Sequence, residues 1–110
     1  MHSKFQYRFT PLALTDIEET LSYITQDLAN PLAAKNLYMQ IEKAIEQICI
    51  FPYAHADCSH YMIVDKNIRH IKIGNYLLFY EIKEQIKTLH ILRFRYAKMN
   101  FEEMNIKDKS

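Results

Sequence analysis

Two cap-plus-proline pairs, Thr10-Pro11 and Asn30-Pro31, constrain this chain more than any other feature of its sequence. Thr or Asn at an N-cap offers a side-chain oxygen to the free N–H groups of a first helical turn. Proline at the next position has its φ preset for helix and no N–H to leave unpaired. After the first pair, Leu14, Ile17, Leu21, Ile24 and Leu28 recur at steps of three and four, which lays an apolar stripe along a helix. After the second, Ala34, Leu37, Ile41, Ala44 or Ile45, and Ile48 do the same. Asn30-Pro31 stops one helix and starts the next, so the connection is short and the pair is expected to pack as an antiparallel hairpin. Ala33, Ala34 and Ala44 would let the two backbones approach closely. Phe51-Pro52 ends the second helix.

The flanking segments read as strands. Residues 4–10 alternate, with Phe5, Tyr7 and Phe9 on one side and Lys4, Gln6 and Arg8 on the other, as in a half-buried strand at a sheet edge. Residues 53–62 are polar and are expected to form a loop. An extended segment over 67–73 meets the turn Gly74-Asn75, and a nearly continuous apolar run over 76–82 reads as a central strand covered on both faces. A turn at 83–85 leads to a last strand over 87–96. Simple alternation there puts Leu89, Ile91, Arg93 and Arg95 on one face and His90, Leu92, Phe94 and Tyr96 on the other. Residues 100–104 could add one helical turn. The expected fold class is α+β: an N-terminal strand, an antiparallel helical hairpin, then a three-stranded antiparallel meander, forming one sheet packed against the helices. At 110 residues this is one domain, 1–110.

Composition narrows the setting. Met1–Thr10 is polar and unlike a secretory signal, and no apolar run approaches the roughly 20 residues of a membrane span, so a cytoplasmic protein with no membrane contact is expected. Cys49 sits in an apolar run and reads as a small core residue, and no CxxC spacing is present. His55, His60, Asp57 and Cys58 share a loop but match no metal-ligand spacing, so neither metal nor other cofactor is expected. The net charge of +1 hides a split: residues 1–65 carry four basic and eight acidic residues, and residues 66–110 carry ten basic and five acidic ones. Such a split suits a charged partner for one half, or simple solvation.

Several blocks resemble, in order, the RelE/ParE toxin superfamily: Tyr7-Arg8-Phe9-Thr10-Pro11-Leu12-Ala13, then Tyr23-Ile24 with Asn30-Pro31-Leu32-Ala33-Ala34, then Ala44-Ile45 with Phe51-Pro52. Ile68-Arg69 followed by Gly74-Asn75-Tyr76-Leu77-Leu78-Phe79-Tyr80, and finally Ile91-Leu92-Arg93, complete the set. The resemblance covers about residues 5–101. It implies the toxin component of a type II toxin–antitoxin module, a growth inhibitor silenced by a cognate antitoxin protein. RelE-like members cut messenger RNA on the ribosome without a metal, whereas ParE-like members inhibit DNA gyrase. The antitoxin is expected to be small, with a disordered segment that folds onto this chain as an added strand or a docked helix.

A metal-free ribonuclease must activate a 2′-hydroxyl, protonate the leaving oxygen and stabilise a charged phosphorane. The residues suited to this are Arg69, Arg93, Arg95, Tyr96 and Lys98, with His70, Lys72 and Phe101 available to bind RNA by charge or stacking. Each has a structural alternative. Arg69 shares strand parity with Ile71 and Ile73 and could bond backbone carbonyls, Arg93 shares parity with Leu89 and Ile91, and His70 and His90 could be ordinary strand histidines. Two departures from the RelE pattern weigh against cleavage. Leu77 stands where RelE-like enzymes usually carry an arginine, and Ala97-Lys98-Met99-Asn100 lacks the arginine often found after the last strand. Lys98 would replace it as a point charge and not as a bidentate clamp. A ParE-like gyrase inhibitor is therefore the alternative to an endoribonuclease, and a member that only binds its antitoxin is a third.

Overall fold

In the computed structural model, residues 4–57 and 67–97 are described. The elements run β1 (Gln6–Phe9), α1 (Pro11–Ser22), a π-helical turn (Tyr23–Asp27), α2 (Pro31–Ile50), a 3-10 turn (Pro52–Ala54), β2 (Ala56–Asp57), β3 (Ile68–Ile73), β4 (Tyr76–Lys83), a 3-10 turn (Glu84–Ile86) and β5 (Thr88–Tyr96). The sheet order is β1-β5-β4-β3-β2. β3, β4 and β5 form the expected antiparallel meander, and β1 returns to pair parallel with β5 at the sheet edge. The α+β architecture thus holds, with a mixed sheet.

Both proline caps form as expected. Thr10 Oγ1 accepts the Ala13 N–H at 3.1 Å, and Asn30 Oδ1 accepts the Ala33 N–H at 3.1 Å. Between the helices the chain widens into a π turn closed by Leu28 N–H donating to the Tyr23 carbonyl at 3.1 Å. Ala29 then takes a left-handed φ of 50°, which turns the backbone into the Asn30 cap. At the other turn Gly74 supplies a φ of 60° between β3 and β4, a conformation that suits glycine.

The core lies between the hairpin and one face of the sheet. The α2 stripe is buried as expected, Ala34 through Ile48, with Cys49 beside it. The α1 stripe is rotated from its expected position. Ile17 and Ile24 are buried, but Leu14 and Leu28 are 45% and 55% exposed, and the inward face starts at Ala13 and includes Asp16. From the sheet, Leu78, Tyr80, Ile82, Leu89, Ile91 and Phe94 meet the helices. Tyr80 is fully buried, and its hydroxyl donates to the Pro52 carbonyl at 2.7 Å, which pins the end of α2 to the central strand. Ile68, Leu77 and Phe79 are buried outside this cluster.

Two further expectations need correction. The polar loop expected over 53–62 contains a 3-10 turn and the two-residue strand β2, which pairs with β3 through Ala56–His70 and Asp57–Arg69. The simple alternation expected of β5 also fails. Tyr80 pairs with Ile91 while Phe79 pairs with Arg93, so Leu92 is an extra residue on β5, a β-bulge. One extra residue reverses the facing of everything beyond it. Leu89 and Ile91 therefore face the helices, and so does Phe94, while Arg93 and Arg95 fall in register with Phe79 and Leu77 on the other face.

Candidate functional site

The feature that organises the charged half of the molecule is Asp16, which is 5% exposed. β1 ends at Phe9 and pairs with β5 only as far as Ile91. Thr10 extends that edge by one step: its N–H donates to the Ile91 carbonyl at 3.0 Å and its hydroxyl to the Leu92 carbonyl at 3.1 Å. Beyond that point the edge of β5 has no neighbouring strand among the described residues. α1 crosses it instead, and Asp16 Oδ2 accepts the Phe94 N–H at 3.0 Å. The same carboxylate accepts a bidentate pair from Arg93, Nε to Oδ2 at 2.7 Å and a terminal nitrogen to Oδ1 at 3.0 Å. Arg95 adds a contact to Oδ1 at 3.2 Å. One carboxylate thus holds a strand edge and two guanidiniums. Planar fork-to-carboxylate pairing is the strong form of such a bond, and its burial makes the loss of either partner costly.

Sequence reasoning missed Asp16. The signal was there: Asp16 lies three residues after Ala13 and one before Ile17, so an acid sits on the inward face once the stripe is drawn from Ala13.

The other sequence candidates separate by sheet face. Register places Lys72, Leu77 and Arg95 in one row across β3, β4 and β5, and His70, Phe79 and Arg93 in the next. Facing groups in such rows are close enough to interact. These rows bring together His70, Lys72, Arg93 and Arg95, with apolar Leu77 and Phe79 between them. Lys72 is exposed; the His70 ring packs against Phe79 at 5.7 Å between centroids. Burial, and next the nearby His55, push the His70 pKa down, so the ring is neutral near pH 7. Arg69 lies in the row of Tyr80, on the opposite face. Its guanidinium donates to the His55 carbonyl at 2.8 Å and stacks over Tyr53 at 5.3 Å, while its buried Nε has no hydrogen-bond partner among the described residues. Tyr96 is also on the helix side, beside Tyr76. Lys98 and Phe101 lie outside the described residues. Among the described residues no cluster of three or more His, Cys, Asp or Glu side chains could hold a metal, and no helix is long and apolar enough to cross a membrane.

Two concave surfaces border this framework. A groove of about 850 Å³ runs between the open edge of β1 and α2, lined by Phe5, Tyr7, Phe9, Tyr38, Met39 and Glu42 among others. Its strand wall is the outermost of the sheet, so backbone groups on that side have no strand partner among the described residues. A smaller cleft of about 520 Å³ lies between α1 and the end of β5, walled by Tyr23, Tyr76 and Tyr96.

Comparison with known proteins is consistent with this architecture. No curated protein sequence matches. Among solved structures, the chromosomal ParDE toxin–antitoxin system from P. aeruginosa superposes with a TM-score of 0.68 at 14% identity, over 86% of this chain and 98% of that one. The RelBE2 toxin–antitoxin complex from Mycobacterium tuberculosis superposes with a TM-score of 0.58 at 18% identity, over 86% of this chain and 99% of that one. At such identities the likeness is one of fold. The family model for the ParE toxin of the type II toxin–antitoxin system parDE matches residues 7–101, and the chain therefore belongs to the ParE toxin family.

Proposed function

We propose that this protein is the toxin of a type II toxin–antitoxin module and that it arrests growth by binding DNA gyrase, not by cutting RNA. The observation that carries this reading is the pairing of Arg93 with Asp16. A phosphate-clamping arginine must present its fork to the substrate, and here the Nε edge of that fork is taken by a buried carboxylate. Leu77, between Lys72 and Arg95, offers no charge at the centre of the same face. A partner antitoxin follows from the family, and the open edge of β1 with its adjoining groove is the surface best suited to an extended antitoxin segment, because strand addition would pair the outward backbone groups.

A second reading, ribosome-dependent messenger-RNA cleavage, is favoured by one observation. His70, Lys72, Arg93 and Arg95 share one sheet face, where a phosphate backbone would be attracted. The two are separated by brief induction in antitoxin-free cells, with purified protein tested in parallel on gyrase supercoiling. Inhibited supercoiling with intact transcripts supports the gyrase reading. New translation-dependent 5′ ends inside coding regions, with supercoiling untouched, overturn it in favour of cleavage.

A further inference from the structure

The cleft between α1 and the end of β5 has walls of unusual composition. Tyr76 and Tyr96 stand nearly perpendicular, 5.7 Å between centroids at 72°, and Phe94 stacks behind Tyr76 at 4.9 Å and 17°. Tyr23, from the π turn that ends α1, closes the third side. Tyr23 and Tyr96 are 53% and 46% exposed, so two of the three rings present open surface. Burial, then Tyr96 and Tyr23, raise the Tyr76 pKa. The Tyr76 hydroxyl therefore stays protonated and neutral at physiological pH.

The charge around these rings is acidic. Glu19 and Tyr23 belong both to this cleft and to an adjoining depression lined by Glu18, Ser22 and Asp27. Among the described residues, the combined surface holds the carboxylates of Asp16, Glu18, Glu19 and Asp27 against the guanidinium of Arg95. Asp16 is committed to Arg93 and Arg95, which leaves the exposed acids on α1 to set the field at the mouth. Perpendicular aromatic walls with a carboxylate at the rim suit a cation, because ring faces and carboxylate both carry negative potential. The same acids repel the phosphates of a nucleic acid, so stacked bases are the poorer occupant.

We propose that this cleft is a docking site for a basic polypeptide segment, with an arginine or lysine side chain inserted between Tyr23 and Tyr96 above Tyr76 and paired with Glu19. It is separate from the β1 groove and does not depend on whether the toxin acts on gyrase or on RNA. Its specificity would come from the positive charge of the inserted side chain, since a neutral side chain of the same shape gains only the stacking.

The test uses full-length protein labelled on its tyrosine rings and two peptides, acetyl-Gly-Arg-Gly-Arg-Gly-amide and its citrulline counterpart. The arginine peptide is expected to shift the Tyr23, Tyr76 and Tyr96 ring resonances and to bind about fivefold or more tightly than the neutral one. That preference should fall as salt rises. Glu19→Gln and Tyr23→Ala, both at exposed positions, are each expected to remove most of it while the rest of the spectrum stays unchanged. Equal binding of the two peptides, no binding, or shifts confined to other tyrosines would overturn the proposal. So would a single-stranded oligouridylate that moves the same three rings more strongly than the arginine peptide.

Discussion

Asp16 and Arg93, on α1 and β5 and 77 residues apart in the chain, form a bidentate pair at 2.7 and 3.0 Å in which both side chains are at most 10% exposed. The pair joins the first helix to the last strand at the point where β1 no longer covers the sheet edge. Removing Asp16 takes the carboxylate away from the buried Arg93 charge and from the Phe94 N–H of the strand edge. Asp16→Ala is expected to cost about 3–5 kcal/mol, read from urea unfolding. The double variant Asp16→Leu/Arg93→Met, which removes both charges, should be less destabilised than Asp16→Ala. If Asp16→Ala unfolds at the wild-type urea midpoint, the pair does not hold the two elements together.

Thr10 caps α1 and also bonds the bulged residue Leu92 through its carbonyl. Thr10→Ala therefore loses a helix cap and a bond to the sheet edge. The expected cost is about 1–2 kcal/mol. Thr10→Ser retains both oxygen contacts, and its unfolding midpoint should stay close to that of the wild type.

Tyr80 is fully buried and donates its hydroxyl to the Pro52 carbonyl. Tyr80→Phe keeps the ring and strands that carbonyl without its donor. A loss of about 1–3 kcal/mol is expected. Thermal unfolding measures it, and a variant as stable as the wild type would mean that another donor reaches Pro52.

His55 and His70 both have depressed pKa values, His55 through burial and then Arg69, and His70 through burial and then His55. A histidine whose folded pKa lies below the unfolded value of 6.5 takes up its proton more readily when unfolded. Its contribution to stability is fully present above pH 6.5 and is lost as pH falls through the folded pKa. The urea midpoint should drop between pH 7.5 and pH 5.5, and His70→Gln should flatten that drop. An unchanged slope in His70→Gln would assign the pH dependence to other groups.

Met39 is 54% exposed on the α2 wall of the β1 groove. Met39→Asp should leave the fold intact, since the site faces solvent, and weaken cognate antitoxin binding by about tenfold or more if that groove is the docking surface. Calorimetry with the purified antitoxin decides it. Wild-type affinity would move the interface elsewhere on the toxin.

The elements that carry their own instructions were legible in the sequence. Thr10-Pro11 and Asn30-Pro31 start helices through contacts within four residues, the α2 stripe is a local periodicity, and Gly74-Asn75 turns the chain within the turn itself. What was decided only in three dimensions depends on partners distant in sequence. The parallel return of β1 to β5, the bulge at Leu92 and the crossing of α1 over the free edge of β5 are set by packing two layers together. Those choices moved Arg93 and Arg95 to the face away from the core aliphatics and carried Asp16 inward to meet them. They also divided the candidate site residues, with Arg69 and Tyr96 on one side of the sheet and His70, Lys72, Arg93 and Arg95 on the other. A strand's alternation predicts facing only until one extra residue intervenes, and a carboxylate on a helix shows no preference for a guanidinium 77 residues away until the fold has placed both at one edge.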